Sequence, residues 1–225
     1  MAIIAGVEEA GRGPVIGPLV MAIVTIDEKD EQKLKDLGVK DSKLVAKHKR
    51  SMMYQKIIDT VLDYKIIKVS PSEIDNALDK NNPDMNLNWL EATTSAKLIN
   101  SVKLDKVILD CPSSNVNAYK NYVNNLVLRK ENGMRPDIVA EHKADVKYTI
   151  VGAASIIAKV TRDSLIEGIK KKYNIEFGSG YPSDPKTRQF LEKNYNKYPF
   201  FRKSWSSYKR LVQAQQKNQK KLGDF

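Results

Sequence analysis

The opening segment of the chain constrains its fold most, because two apolar, β-branched runs flank a glycine-rich connection. Ala2 to Val7 and Val15 to Ile26 carry the apolar residues, and the letters AGRGPVIGP lie where they meet. β-branched runs interrupted by glycine and proline are typical of strands joined by a tight connection. We therefore predict that the chain begins with two strands of a sheet.

A second pattern lies in the middle of the chain, where two short apolar segments flank a helical one. KVILD, Lys106 to Asp110, and DIVAE, Asp137 to Glu141, predict buried strands, and Asn117 to Leu128 predicts the helix between them. A strand, a helix and a second strand in this order favour parallel pairing. With a further strand at Tyr64 to Val69, the sequence predicts an α/β fold with a mixed sheet and helices on its faces.

Capping residues and apolar spacing predict the other helices. Ser70, Pro71 and Glu73 supply an N-cap, a first-turn proline and a capping-box acid for a helix near Ser72 to Leu78. Ile150 to Tyr173 has an apolar stripe of helical spacing that includes small residues suited to close packing on the sheet. Further helices are predicted at Glu28 to Leu37, at Ala46 to Leu62, at Leu87 to Asn100 and in two stretches after a loop at Gly178 to Thr187.

The charge balance bears on the partner of the protein. Lysine and arginine outnumber aspartate and glutamate by 38 to 27, and the formal net charge is +11. This excess favours a polyanion, and nucleic acid over a membrane surface, because the sequence lacks a basic amphipathic helix with aromatic residues on its apolar face. A solvated lysine surface without such a partner is the alternative that charge alone leaves open.

Three features of the sequence indicate the cellular compartment of the protein. The apolar runs are too short to span a bilayer, the N-terminus lacks the basic region of a secretion signal, and the single cysteine, Cys111, fits a reducing compartment. We therefore expect a cytoplasmic protein that does not bind membranes. We also expect it to be a monomer.

Four acids at predicted strand ends are the candidates for chemistry. Glu8 and Glu9 end the first strand, Asp110 ends KVILD, and Asp145 follows DIVAE just before the long helix. Hydrolysis of a phosphodiester by two divalent ions about 4 Å apart needs oxygen ligands of this kind, and Mg²⁺ and Mn²⁺ prefer them. Adjacent strand residues point to opposite faces, however, and acids at strand ends or before helices are often solvated or serve as caps. Pattern alone leaves open whether the four converge.

Several segments, taken together, resemble the ribonuclease HII family, and two of them its archaeal members in particular. VEEAGRGP is similar to the family's opening signature, in which an Asp-Glu pair precedes Ala-Gly-Arg-Gly. The other segments follow in the family's order and are DSK at Asp41 to Lys43, ILD at Ile108 to Asp110, EHKAD at Glu141 to Asp145, AASIIAKVTRD at Ala153 to Asp163 and GSGYPSDPKT at Gly178 to Thr187.

The resemblance implies an RNase H-like mixed five-stranded sheet flanked by helices, with a helical C-terminal portion. It implies a catalytic core at residues 1–175, a helical substrate-binding portion at 176–215 and a flexible tail at 216–225. The implied activity is endonucleolytic, Mg²⁺- or Mn²⁺-dependent hydrolysis of RNA in RNA/DNA hybrids and of ribonucleotides embedded in duplex DNA, leaving 5′-phosphate and 3′-hydroxyl ends.

By the same resemblance, individual residues acquire expected roles. The metal-binding and catalytic acids are Glu8, Glu9, Asp110 and Asp145. Gly11, Arg12 and Gly13 match the loop that senses the 2′-hydroxyl through backbone groups; an ordinary tight turn is the alternative. Tyr181 matches the tyrosine that packs on the sugar at the RNA-to-DNA junction, and Lys43 is a candidate phosphate contact.

One residue departs from the family pattern. The family has aspartate where this chain has Glu8. Glutamate keeps the charge and adds a methylene, and metal catalysis depends on fine placement of ligands. The departure raises an alternative function, a hybrid-binding protein whose catalysis is impaired. A nucleotide-phosphate binder that uses AGRGP is disfavoured, because the lysine and Ser/Thr of a P-loop are absent.

The C-terminal sequence QKKLGDF resembles the Q-x-x-L-x-x-F peptide by which replication proteins bind the sliding clamp, without the usual second aromatic residue. Gln219, Leu222 and Phe225 would make the contacts. An arbitrary terminal sequence is the alternative, because short patterns recur by chance.

Overall fold

A computed structural model describes residues 2–39, 47–129 and 133–222, and for 47–49 and 217–222 it describes the backbone alone. Within these residues five strands form one mixed sheet: β1 (Ile3–Ala10), β2 (Leu19–Asp27), β3 (Asp63–Val69), β4 (Lys106–Asp110) and β5 (Asp137–Glu141). The strand order is β3-β2-β1-β4-β5. β1 is antiparallel to β2 and parallel to β4, which is parallel to β5. The α/β fold with a mixed sheet is confirmed.

Nine α-helices lie in the described ranges. They are α1 (Glu31–Asp36), α2 (Lys47–Thr60), α3 (Pro71–Ala77), α4 (Leu87–Asn100), α5 (Val116–Leu126), α6 (Ala144–Lys147), α7 (Thr149–Tyr173), α8 (Pro185–Asn194) and α9 (Ser206–Leu222). The capping box of α3 is present as predicted, with the Ser70 hydroxyl accepting from the Glu73 amide and the Glu73 carboxylate accepting from the Ser70 amide. Local capping chemistry is sufficient to place this helix.

Two boundaries differ from the sequence prediction. The run at Val15 does not join β2, which begins at Leu19, because Pro18 has no amide hydrogen and Gly17 has a positive φ of 88°. The predicted helix from Glu28 begins as a 3-10 turn before α1. At the C-terminal end, α9 extends to Leu222, since alanine, glutamine and lysine are good helix formers.

A glycine in the central strand allows α7 to approach the sheet. A Cβ built on Gly6 would lie 2.5 Å from the carbonyl carbon of Ile150, in the first turn of α7. Backbone therefore packs on backbone at this point, and any side chain at residue 6 would force the helix away. The predicted close packing of the long helix depends on this glycine as much as on the small residues of the helix.

The chain forms two compact units, each with its own interior. The first consists of the described parts of Met1–Ala10, Val20–Lys68 and Asn86–Asp163, and it contains almost all of the sheet. The second consists of the described parts of Gly11–Leu19, Val69–Met85 and Ser164–Phe225. The core of the second unit is rich in aromatic residues and includes Ile16, Phe177, Phe200, Phe201 and Tyr208. The boundaries predicted near residues 175 and 215 remain predictions.

None of the described helices is long and apolar enough to cross a membrane.

Candidate active site

Three of the four candidate acids converge at the end of the central strands. Glu8 and Glu9 lie near the C-terminal end of β1, and Asp110 is the last residue of β4. Each contributes a carboxylate oxygen, and these oxygens all lie within 4.8 Å of one another. The two neighbouring glutamates therefore reach the same site, although they occupy successive positions of one strand.

The strand pairing explains how successive residues reach one site. Pairing between β1 and β4 ends at Val7 and Leu109, whereas β1 continues to Ala10. Glu8 and Glu9 thus lie beyond the last β4 partner, and their long side chains can turn into the space at the end of the shorter strand. Alternation of side chains across a sheet is a rule about Cβ directions and does not fix the position of a flexible carboxylate.

Asp145 lies in α6, the short helix that follows β5, and the start of this helix is held by another acid of the site. The amide of Ala144 donates to Asp110 Oδ1 at 2.6 Å. The preceding residue, Lys143, has a left-handed backbone with φ 56°, which turns the chain into α6. Asp145 is 7% exposed. It does not belong to the group of three carboxylates within 4.8 Å, but it is close enough for its charge to act on Glu8.

The acids create a strongly anionic site around a buried carboxyl. Glu8 is 9% exposed, and its Oε2 has no hydrogen-bond partner. Burial raises the pKa of Glu8 well above its ordinary value, and the negative charges of Glu9, Asp110 and Asp145 raise it further. A buried carboxylate oxygen beside other carboxylates is costly in isolation and favourable beside a cation. The all-oxygen donor set therefore fits a divalent cation such as Mg²⁺ or Mn²⁺.

Cys111 and His142 lie next to the site and have other roles. Cys111 is buried, and burial raises the pKa of its thiol. The ring Nδ1 of His142 lies 2.9 Å from the carbonyl oxygen of Cys111. Cys111 is therefore a small core residue, and His142 has a hydrogen-bond partner in the protein.

The predicted substrate loop lies in the second unit. Gly11 has a positive φ of 85°, a conformation that glycine adopts without strain. A Cβ built on Gly13 would lie 3.3 Å from the ring of Tyr181, which is 39% exposed. The amide of Val15 donates to the carbonyl of Gly180 at 2.9 Å, which joins the two segments. Gly11, Arg12, Gly13 and Tyr181 are therefore neighbours within this unit.

The other predicted contacts have no described side chains. Lys43 and Phe225 lie outside the described residues. Gln219 and Leu222 lie in the last turns of α9, where the structure describes the backbone alone.

Sequence reasoning missed two charged residues that the fold buries completely, Glu91 in α4 and Arg202 before α9. Burial raises the pKa of both Tyr119 and Cys111, and the charge of nearby Glu91 raises each further. Arg202 follows two aromatic residues in the letters FFRKSW. The available signal is a charged residue directly after two large apolar side chains, Trp89 and Leu90 before Glu91 and Phe200 and Phe201 before Arg202.

Comparison with known proteins gives consistent matches over nearly the whole chain. The family model described as ribonuclease HII matches residues 5–208. The ribonuclease HII of Pyrococcus furiosus is 44% identical over 215 residues, which cover 94% of this chain and 92% of that protein.

Two solved structures extend the similarity to three dimensions. The crystal structure of ribonuclease H2 from Pyrococcus horikoshii has a TM-score of 0.85 at 41% identity, covering 94% of this chain and 98% of that chain. The ribonuclease HII of Archaeoglobus fulgidus, solved in complex with PCNA, has a TM-score of 0.79 at 36% identity, covering 91% of this chain and 95% of that chain.

Proposed function

Since the chain belongs to the ribonuclease HII family and is thus a type 2 ribonuclease H, a divalent-metal-dependent endonuclease, we propose that Glu8, Glu9, Asp110 and Asp145 form the catalytic centre. The observation that carries the proposal is the convergence of Glu8, Glu9 and Asp110 within 4.8 Å, with a buried, unpartnered oxygen on Glu8. Asp145 would complete the site from α6.

The acids would hold Mg²⁺ or Mn²⁺. A bound divalent cation supplies charge neutralisation at the phosphoryl oxygens and activation of water. The chain's own contribution is to place the ligands on rigid elements: β1 carries the two glutamates, β4 carries Asp110, and the hydrogen bond from the Ala144 amide to Asp110 fixes the start of the helix that carries Asp145. Asp110 would thus serve both as a ligand and as a support for the fourth acid.

The proposed substrates are RNA/DNA hybrids and duplex DNA that contains a ribonucleotide, with products that carry 5′-phosphate and 3′-hydroxyl ends. The loop Gly11–Gly13 would read the 2′-hydroxyl through its backbone, and Tyr181 would pack on the sugar at the RNA-to-DNA junction. Lys43 would contact phosphate. The presence of Tyr181 against Gly13 supports a shared substrate surface in the second unit and, with it, a substrate-binding role for residues 176–215.

A cleavage assay tests this proposal. Three labelled duplexes of one sequence are compared: an RNA/DNA hybrid, a DNA duplex with one ribonucleotide, and all-DNA. We expect cleavage of the first two in Mg²⁺ or Mn²⁺, none in EDTA, and a 5′-phosphate on the downstream product. Cleavage of all-DNA at a comparable rate would contradict the proposed substrate.

The second candidate function is a hybrid-binding protein with impaired catalysis, and Glu8 is the observation behind it. Family membership does not favour this candidate. The same assay separates the two functions, because a pure binding protein would shift the hybrid in a gel without cleaving it in either metal.

We also propose that the C-terminal segment binds a sliding clamp through Gln219, Leu222 and Phe225. The Archaeoglobus fulgidus relative was solved in complex with PCNA, and the QKKLGDF sequence supports the same kind of partner here. Deletion of Lys220–Phe225 should abolish binding to an archaeal clamp measured by calorimetry while leaving hybrid cleavage intact. Unchanged clamp binding by the truncated protein would refute the proposal.

A further inference from the structure

We propose that Arg202 and Trp205 are positioning residues that hold the loop Gly11–Gly13 in the conformation that distinguishes a ribonucleotide from a deoxyribonucleotide. This inference rests on the proposed function, which assigns that loop to the 2′-hydroxyl. Neither side chain is proposed to touch the substrate. Both act through the carbonyl groups of the loop.

Arg202 is fully buried and binds the loop region with three different nitrogen atoms. Its Nη2 donates to the carbonyl of Gly11 at 2.6 Å, and its Nη1 donates to the carbonyl of Arg12 at 3.0 Å. Its Nε donates to the carbonyl of Gly17 at 2.8 Å. A guanidinium is planar and its donors have fixed directions. One rigid group therefore sets the relative positions of three peptide groups.

Trp205 holds the remaining carbonyl of the loop. Its ring Nε1 donates to the carbonyl of Gly13 at 3.0 Å, and its ring lies 4.6 Å from the guanidinium carbon of Arg202. Cation–π stacking of this kind orders both side chains. All three carbonyls of the loop thus accept hydrogen bonds from two stacked side chains.

The direction of the carbonyls determines the direction of the amides. Every peptide bond in the described part of the chain is trans, and in a trans peptide the N–H points opposite to the C=O. The amides of Arg12 and Gly13 share peptide groups with carbonyls that Arg202 binds, so these amides are directed away from the guanidinium. Hydrogen bonding of a carbonyl to a cation also polarises its peptide group and strengthens the N–H as a donor.

The hydrogen bonds from Arg202 and Trp205 restrict a loop that is rich in glycine. Glycine has access to more backbone conformations than any other residue, and two of the three loop residues are glycines. Recognition of a single hydroxyl requires donors held within about 0.5 Å of their working positions. Arg202 orders the loop from the buried side. It therefore adds no side chain to the surface where the loop backbone must approach the substrate closely.

Arg202 itself is held by backbone hydrogen bonds within the same unit. Its amide donates to the carbonyl of Val15 at 2.8 Å, and the amide of Gly17 donates to the carbonyl of Phe200 at 2.9 Å. Between these bonds, Ile16 and Phe201 form an antiparallel bridge in the aromatic core. The arginine therefore projects from a short ladder that already includes the segment it organises.

The turn between Arg202 and Trp205 is fixed by one carboxylate. Asp75 accepts hydrogen bonds from the amides of Lys203 and Ser204, both at 2.8 Å, and from the Ser204 hydroxyl at 2.6 Å. This arrangement sets the spacing between the two positioning side chains.

Trp205→Phe is the most selective test, because it removes the Nε1 donor and retains an aromatic ring beside Arg202. The matched control is Trp89→Phe, since Trp89 lies in the first unit, stacked on Tyr122, and these are the two tryptophans of the chain. Binding is measured in EDTA with two duplexes of one sequence, all-DNA or with one ribonucleotide. Cleavage of the second duplex is measured in Mn²⁺, and amide exchange of the loop peptide is followed by mass spectrometry.

We expect Trp205→Phe to lower the preference for the ribonucleotide duplex by about 2- to 10-fold, the effect of one hydrogen bond. Binding of all-DNA and the affinity for Mn²⁺ should stay at the wild-type level, and exchange of the loop amides should be faster. Trp89→Phe should behave as wild type. An unchanged preference in Trp205→Phe, with the wild type showing a clear one, overturns the proposal and leaves the proposed function intact.

Arg202→Lys provides a second, stronger perturbation. Lysine keeps the charge, but its compact ammonium cannot replace the rigid fork at three carbonyls. We expect a loss of ribonucleotide preference larger than that of Trp205→Phe, with the Mn²⁺ affinity of the folded variant unchanged. If the wild type itself shows no ribonucleotide preference, the assignment of the loop fails, and this proposal fails with it. If Arg202→Lys folds and keeps the full preference, the proposal alone is refuted.

Discussion

Glu8→Gln isolates the electrostatic cost of the acidic cluster, because glutamine has nearly the same shape and no charge. Glu8 is 9% exposed, and its ligand oxygen lies within 4.8 Å of those of Glu9 and Asp110. At 4.8 Å and an effective dielectric constant of about 20, two ionised carboxylates repel by about 3 kcal/mol. Glutamine removes this repulsion, but part of the stability gained is lost because its buried amide must find hydrogen-bond partners. We expect the metal-free variant to be more stable than the wild type by about 1 to 3 kcal/mol.

The raised pKa of Glu8 determines how the stability difference between Glu8→Gln and the wild type changes with pH. Because the folded-state pKa lies above that of the unfolded chain, the neutral carboxyl favours the folded protein at low pH, and this contribution is lost as pH rises through the folded-state pKa. The stability advantage of the glutamine variant should therefore be greatest above the folded-state pKa of Glu8 and should disappear as pH falls to the ordinary carboxyl range.

Thermal unfolding in EDTA measures this difference. For a chain of this size the melting temperature should rise by about 2 to 4 °C for each kcal/mol. Glu192→Gln, an exposed glutamate on α8, is the control and should melt as wild type. Adding Mg²⁺ should stabilise the wild type, by about 2.7 kcal/mol at a hundredfold excess over Kd, and should stabilise Glu8→Gln less. An equal or lower melting temperature for folded Glu8→Gln in EDTA at high pH would show that the charge of Glu8 does not destabilise the metal-free protein.

Two further predictions concern Glu8 and the contact between strand and helix. Glu8→Asp should raise the rate of hybrid cleavage, by about tenfold or more in Mg²⁺ and less in Mn²⁺, because Mg²⁺ demands stricter geometry. Equal cleavage rates for the two proteins in both metals would contradict this prediction. Gly6→Ala should lower stability by about 3 kcal/mol or more, since its Cβ would lie 2.5 Å from the Ile150 backbone. Gly168→Ala, where a Cβ meets nothing within 4 Å, is the control and should melt at or slightly above the wild-type temperature.

Local sequence signals predicted the elements of the fold well. Ser70 and Glu73 form their capping box as expected, and the strands at Lys106–Asp110 and Asp137–Glu141 have the predicted bounds. Such features depend on residues a few positions apart, so a single sequence contains the necessary information.

The site depends on contacts that no local pattern encodes. The strand pattern identifies Glu8 and Glu9 but predicts opposite directions for them, whereas both carboxylates converge with Asp110 beyond the last β1–β4 pair, Val7 and Leu109. The family resemblance was needed to group them with Asp145. The contacts of Arg202 could not be predicted for a related reason, since its hydrogen-bond partners at Gly11 and Arg12 lie about 190 residues away in the sequence.

Mn²⁺ binding to the wild type and to Asp110→Asn, followed by electron paramagnetic resonance, tests whether the acids form the metal site. Asp110 contributes an oxygen to the cluster and also accepts the hydrogen bond from Ala144 that holds the start of α6. If the acids hold the metal, the folded variant should bind Mn²⁺ at least about tenfold more weakly and should lose cleavage of a duplex with one ribonucleotide. Wild-type Mn²⁺ affinity in Asp110→Asn would show that the four acids are not the metal site.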